Sequence, residues 1–230
     1  GSMGQSVIVD NRATAVMGEL VAKSPADGHT LLLGVFAHAI NPSLYGAKLP
    51  YDPVKDFAPV ILCVSSANIL VVHPSLPVRS VKELITLAKA KPGQVNYASV
   101  GVGSGNHLGM ELLKVMARID MVHVPYKGAP QGIQAVMAGE VSMGFFNTPT
   151  VIGQIKAGKL LGLAVATPQR VPEFPDIPTS AEVGVPNWIV STWYGLWAIK
   201  GTPKPLVDRM YAECVKAMQQ DKLKVTWKEQ

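Results

Sequence analysis

Between residues 95 and 166 the sequence alternates short apolar runs with helix-length amphipathic stretches, and this rhythm restricts the fold more than any other feature. The runs at 95–99, 121–124, 141–146 and 161–166 are of strand length. The stretches at 106–118, 130–138 and 150–157 have helical spacing. Continuous apolar strands alternating with helices imply an α/β fold whose parallel sheet is covered on both faces. Upstream, strands are expected at 7–9, 30–33, 57–64 and 68–72, with a helix at 16–23. Ser80-Val81-Lys82-Glu83 has the form of a capping box opening a further helix, which Pro92-Gly93 ends. Downstream, 168–187 is Pro-rich and irregular apart from a short helix near 179–183. An extended stretch at 188–199 and a helix at 204–219 follow. A long strand after a self-contained βα series implies two α/β lobes, with the chain returning to the first through crossover strands. The expected lobes are 1–98 plus 198–230 and 99–197.

Composition narrows the function classes. Of 230 residues, 48% are hydrophobic and 16% charged, enough to build a core and too little charge for a disordered chain. The formal net charge is +5, but Lys and Arg are scattered without any run. That favours a surface that draws in small anions over one that grips nucleic acid. Cys63, in an apolar run, and Cys214, in a helical pattern, read as two buried thiols, with a bridge between them as the alternative. No segment approaches the ~18 apolar residues of a membrane span. The five histidines lack metal-ligand spacing, and Cys-x-x-Cys, Gly-x-Ser-x-Gly and a carboxylate pair are all missing. The reading is therefore a chain with no metal, no cofactor and no catalytic role.

The strongest local feature is Tyr97-Ala98-Ser99-Val100-Gly101-Val102-Gly103-Ser104-Gly105-Asn106-His107: a strand, a loop with glycines at alternate positions, then a helix start. Glycines let backbone approach a ligand, and the first amides of a helix are unpaired donors at its positive end, which suits an anion. The pattern is neither a phosphate-binding Gly-Lys-Ser/Thr loop nor a dinucleotide fingerprint, since Asn106 stands where a third glycine belongs. The alternative is a plain βα turn capped by Ser104 or Asn106. His123-Val124-Pro125-Tyr126-Lys127-Gly128 repeats the strand–loop–helix logic, offering Tyr126 as a pocket wall and Lys127 as a countercharge. Phe145-Phe146-Asn147-Thr148 ends another strand, where Asn147 is placed to orient a polar group. Two core phenylalanines are the alternative, which strand alternation grants more easily to one than to both. His107 beside Ser104 is read as a packing or capping residue.

These phrases, with Val9-Asp10-Asn11-Arg12, Ala26-Asp27-Gly28, His38-Ala39-Ile40-Asn41-Pro42-Ser43-Leu44-Tyr45, Leu49-Pro50-Tyr51-Asp52-Pro53-Val54-Lys55-Asp56-Phe57, Lys156-Ala157-Gly158-Lys159-Leu160, Trp193-Tyr194-Gly195-Leu196 and Gly201-Thr202-Pro203, carry a resemblance through nearly all of the chain. It resembles the Bug-type receptors of tripartite tricarboxylate transporters. The resemblance implies a type 2 periplasmic-binding-protein fold closing like a flytrap on a small carboxylate. It also implies a periplasmic location and membrane permease subunits as partners.

Carried over position by position, the second lobe's carboxylate cradle would be Ser99 with Gly103, Ser104, Gly105 and Asn106. The first lobe would offer a loop of Phe36, Ala37, His38 and Ala39. Many relatives follow the strand ending at Phe145 with an aspartate that holds an amino group; here the position is Phe146, so a di- or tricarboxylate or aromatic acid without an amino group is expected. The chain is expected to be truncated at both ends relative to the family, leaving a sheet edge that favours a homodimer. Rival readings are a sensing subunit for a membrane kinase and an enzyme on the same scaffold.

Overall fold

The computed structural model describes residues 4–12 and 14–221. In chain order the elements are α1 (Thr14–Ala22), β1 (Leu32–Val35), α2 (Phe36–Tyr45), a 3-10 turn (Gly46–Lys48), β2 (Phe57–Val72) and α3 (Val81–Ala90). There follow β3 (Asn96–Ser99), α4 (Gly105–Ala117), β4 (Val122–Pro125), α5 (Ala129–Met137), β5 (Met143–Asn147), α6 (Thr148–Lys156), β6 (Leu161–Val165), β7 (Ser191–Ile199) and α7 (Lys204–Met218). They divide into two units, one formed by the chain up to Ser65 with the chain from Trp193, the other by Ser66–Thr192. The chain passes from the first unit to the second along β2 and returns along β7.

These units differ from the expected lobes in where 66–98 and 193–197 belong. The second half of β2 pairs with β5 and β6, and α3 packs its Val81, Leu84 and Ala88 into the same core as Phe145, so both fall in the second unit. β2 itself is one strand where two were expected. Ser65-Ser66-Ala67 contains no glycine or proline to turn the chain, and the extended backbone simply continues.

In the second unit the strand order is β4-β3-β5-β2-β6. β3 is parallel to β4 and to β5, while β2 is antiparallel to both β5 and β6. The βα series thus runs in one direction as expected, but the sheet is mixed: β2 enters from the other unit, and its direction is set by that entry. Alternation sorts the side chains into two cores. Leu70, Val72, Tyr97, Met143 and Phe145 face α3 and α4, with Trp188 across them. Ile69, Val71, Ala98, Phe146 and Val165 face α5 and α6. Each fully buried large apolar side chain contributes about 1.5–3 kcal/mol, and here both faces of one strand collect it.

Local signals explain the helix ends. Ser80 caps α3 by accepting from Glu83 N at 3.2 Å, while the Glu83 carboxylate reaches back to the amide of Arg79, one residue earlier than the usual capping box. In α4, Gly109 is required by close approach: a Cβ there would overlap the Phe145 ring and come within 3.2 Å of Val190 Cγ1. Trp188 Nε1 donates to Gly109 O at 2.7 Å, fixing the helix to the indole.

In the first unit β1 pairs antiparallel with β7, matching Gly34 to Gly195, and Val21, Leu32, Tyr51, Phe57 and Ile199 form the core. A second cluster of Val60, Ala198 and Met210 seats α7. Cys63 and Cys214 are free and half-buried rather than bridged or enclosed. Three expected elements are absent. Residues 7–9 are exposed coil, with no partner strand among the described residues. Residues 179–183 form turns, because Thr179 is committed to a bridge with Val165 and Gly184 stops the run at φ 84°. The expected loop at Phe36–Ala39 is the first turn of α2, which begins directly where β1 ends.

Candidate functional site

β3 delivers Ser99 to the edge of the glycine loop, and the loop turns on two glycines, Gly101 at φ 127° and Gly103 at φ 76°, where any other residue would be strained. Ser104 caps α4. Its Oγ accepts from His107 N at 3.2 Å and donates to Gly101 O at 2.7 Å, so the hydroxyl is occupied on both sides. Leu108 N is the first amide of the helix to bond back to Ser104 O. The amides of Gly105 and Asn106 precede it with no acceptor among the described residues. They lie at the positive end of a 13-residue helix. A charged acceptor bonded to such donors gains about 1.5–3 kcal/mol from each.

The loop is braced from behind by imidazoles. Gly103 N donates to His107 Nδ1 at 3.2 Å. Ser99, fully buried, has its Oγ 2.6 Å from His123 Nε2 and accepts from Gly101 N at 3.1 Å. The His107 and His123 rings stack with centroids 3.9 Å apart, and Tyr97 stacks on His123 at 5.0 Å. Tyr97 OH donates to Glu111 Oε1 at 2.6 Å, and Lys114 Nζ reaches the same oxygen at 2.8 Å. Burial, then the neighbouring His107, pulls the His123 pKa down to about 4. Burial lowers His107 as well, with Lys114 adding to it and Glu111 opposing. Burial pushes Glu111 up, but the hydrogen bonds from Lys114 and Tyr97 outweigh it and the carboxyl ends below its usual range. Burial and the Glu111 bond raise Tyr97.

Asn106 has its side chain turned inward. It is buried, donating from Nδ2 to Asn68 Oδ1 at 3.1 Å and to Asn147 Oδ1 at 3.4 Å. Asn68 donates to Val190 O at 3.2 Å, and Thr192 Oγ1 donates to Asn68 Oδ1 at 3.4 Å and Asn147 Oδ1 at 3.3 Å. Three amides and a hydroxyl thus tie the start of α4 to β2, β5 and β7 within this unit. Asn147 belongs to that network and is only half-buried. Sequence reasoning missed Asn68 and Thr192, although a lone polar residue ahead of the run Ile69-Leu70-Val71-Val72 was a usable signal.

The remaining expected residues separate. Phe146 is fully enclosed beneath α5, in van der Waals reach of Gly132, and cannot touch a ligand; the inference about amino groups drawn from it therefore loses its basis. Both phenylalanines are core because the sheet is covered twice. Tyr126 is half-buried after β4, where its amide donates to Ser99 O at 3.1 Å. It lines a depression of about 500 Å³ with Gln131, Gln134 and Glu140, whose only charge is a carboxylate and which does not suit an anion. Lys127 is exposed.

In the first unit, Phe36 and Ala37 are half-buried and Ala39 is exposed at the start of α2, which has no side-chain cap. Phe36 meets Trp193 edge-on at 6.3 Å. His38 is packing, not lining: its ring stacks on Tyr51 at 5.5 Å and meets Phe57 at 5.0 Å and Trp197 at 5.3 Å, and burial lowers its pKa. Among the described residues no group of His, Cys, Asp and Glu is arranged to hold a metal, and no helix is long and apolar enough to cross a membrane.

Comparison with known proteins gives a consistent set of relatives. A family model described as the tripartite tricarboxylate transporter family receptor matches residues 1–227. The protein BugT of Bordetella pertussis is 38% identical over 212 residues, covering 90% of this chain and 65% of BugT. A solved R. palustris protein with adipate is 33% identical with a TM-score of 0.83, over 98% of this chain and 76% of that one. MatC from Rhodopseudomonas palustris with bound malate is 28% identical with a TM-score of 0.83, over 94% and 73% respectively. The chain spans just under two thirds of the length of curated relatives such as BugT.

Proposed function

The chain belongs to the tripartite tricarboxylate transporter receptor family, and from that membership we propose that it is a periplasmic receptor that captures a small dicarboxylate or tricarboxylate and presents it to membrane permease subunits. The observation that carries the reading is the pair of adjacent amides at Gly105 and Asn106, without an acceptor among the described residues, at the end of a loop in which the Gly101, Gly103 and Ser104 amides and the Ser104 hydroxyl are committed internally. A carboxylate satisfies two such donors at once and meets the positive end of α4. Relatives of the same fold carry adipate and malate, both dicarboxylates.

The arrangement favours capture over catalysis. Ser99 and His123 have the hydroxyl–imidazole separation of a nucleophile and base, yet Ser99 is fully enclosed and Glu111 is spent on Tyr97 and Lys114 instead of orienting His123. Ser104 is held by its capping bonds.

Calorimetric titration with adipate, malate and the neutral adipamide tests the reading. The acids bind, adipamide does not, and Gly103→Ala, which forces a side chain onto a positive φ, weakens the acids alone. Failure of every acid, or equal binding of adipamide, sinks it.

A further inference from the structure

Gly103 N–H is satisfied by a ring nitrogen, His107 Nδ1, and not by a carbonyl. An imidazole accepts at Nδ1 only when that nitrogen carries no proton, so the observed loop requires His107 neutral, with its hydrogen on Nε2. Gly101, the other glycine at positive φ, is tied through Ser99 Oγ to His123. The two turning points of the loop thus hang on the two members of one stacked imidazole pair, 3.9 Å apart. Tyr97 of β3 closes the far face of His123, and the charged groups facing the pair, Glu111 and Lys114 of α4, are bonded to each other.

We propose that His107, backed by His123, is a positioning residue of the anion site: the neutral pair holds the loop so that the Gly105 and Asn106 amides stay open, and a proton on His107 Nδ1 releases Gly103 and dismantles that shape. This rests on the receptor reading above. Two cationic rings cannot share a 3.9 Å stack, so the pair takes up at most one proton while the stack holds. Burial lowers both imidazoles, which keeps the pair neutral and the loop formed near neutral pH. The consequence runs against simple charge attraction: acid adds positive charge near the site yet weakens anion binding.

Two measurements test this together. In the wild-type chain, affinity for adipate falls as pH drops, by about tenfold per pH unit beyond the fall caused by adipate's own protonation, once His107 takes up its proton. His107→Asn supplies a carbonyl oxygen near the Nδ1 position without titrating; it binds adipate and shows only the ligand's own pH dependence. His107→Phe keeps the ring volume and the stack, and binds weakly at every pH. Histidine and amide NMR of the unliganded chain follow the loop directly: the Gly103 amide proton shifts with the same midpoint as the His107 ring. A wild-type profile identical to that of His107→Asn, a rise in affinity with acid, or a Gly103 amide indifferent to His107 overturns the proposal. Absence of adipate and malate binding at all pH values, with Gly103 still coupled to His107, overturns the receptor reading and leaves the loop coupling standing.

Discussion

Phe145 and Phe146 are neighbours in β5 and point into opposite cores, one against Trp188 with ring centroids 5.2 Å apart, the other beneath Gly132 of α5. Phe146→Ala therefore costs about 3–5 kcal/mol of stability by cavity formation. Phe146→Asp, which buries a carboxylate with no partner, costs more. Urea unfolding followed by tryptophan fluorescence checks this. A stable Phe146→Asp protein with a new preference for amino-bearing acids would return the residue to the ligand site.

Gly109→Ala sets two effects against each other. Alanine gains about 1 kcal/mol over glycine inside a helix. The new methyl overlaps the Phe145 ring, however, and overpacking of this kind costs about 1–3 kcal/mol. The net expectation is a less stable protein, read as a lower thermal midpoint; a higher midpoint would show that Phe145 and Val190 yield cheaply.

Asn106→Ala removes the donor shared by Asn68 and Asn147 and leaves two amide oxygens, the Asn68 one buried, relying on Thr192. The expected loss is about 1–3 kcal/mol. Asn106→Asp is worse than Asn106→Ala, since it sets a carboxylate against the same oxygens. Denaturation curves for the two variants and wild type rank them; equal stability of the two would mean that the amide is oriented differently.

Stability falls in acid through His123. Its folded pKa of about 4 lies below the 6.5 of an unperturbed imidazole. Between those values the unfolded chain binds a proton that the folded chain refuses, so the folded state loses stability as pH drops from 6.5 towards 4. Above that window the contribution is complete and flat. His123→Gln, whose amide reaches Ser99 without titrating, has a shallower pH dependence of its urea midpoint; an unchanged slope would assign the effect to other groups.

The βα rhythm was legible because apolar periodicity and chain punctuation are local properties, and α3, α4, α5 and α6 appear within a few residues of where Ser80, Ser104, Pro130 and Gly158 mark them. The start of α2 was not legible, because Val35 has no capping side chain and β1 runs straight into the helix. The glycine loop could be read as an anion cradle, but its inner side could not. His107 and His123 sit on different elements, and only the parallel pairing of β3 with β4 sets Tyr97 opposite His123. Phe146 was misread because both faces of β5 are covered, one by α3 and α4 and the other by α5 and α6, and alternation along a single strand does not reveal a second covered face.

β4 is four residues long and, as the last strand in the order, has β3 as its bonded neighbour. His123 rides on it. Segments of this kind open at far lower free energy than central strands, and each opening of β4 withdraws the ring that holds Ser99 and, through it, Gly101. The lifetime of that end of the glycine loop is thereby capped by the fraying of a short outer strand, so the Gly101 amide exchanges with solvent on β4's clock rather than on that of the core strands β2 and β5.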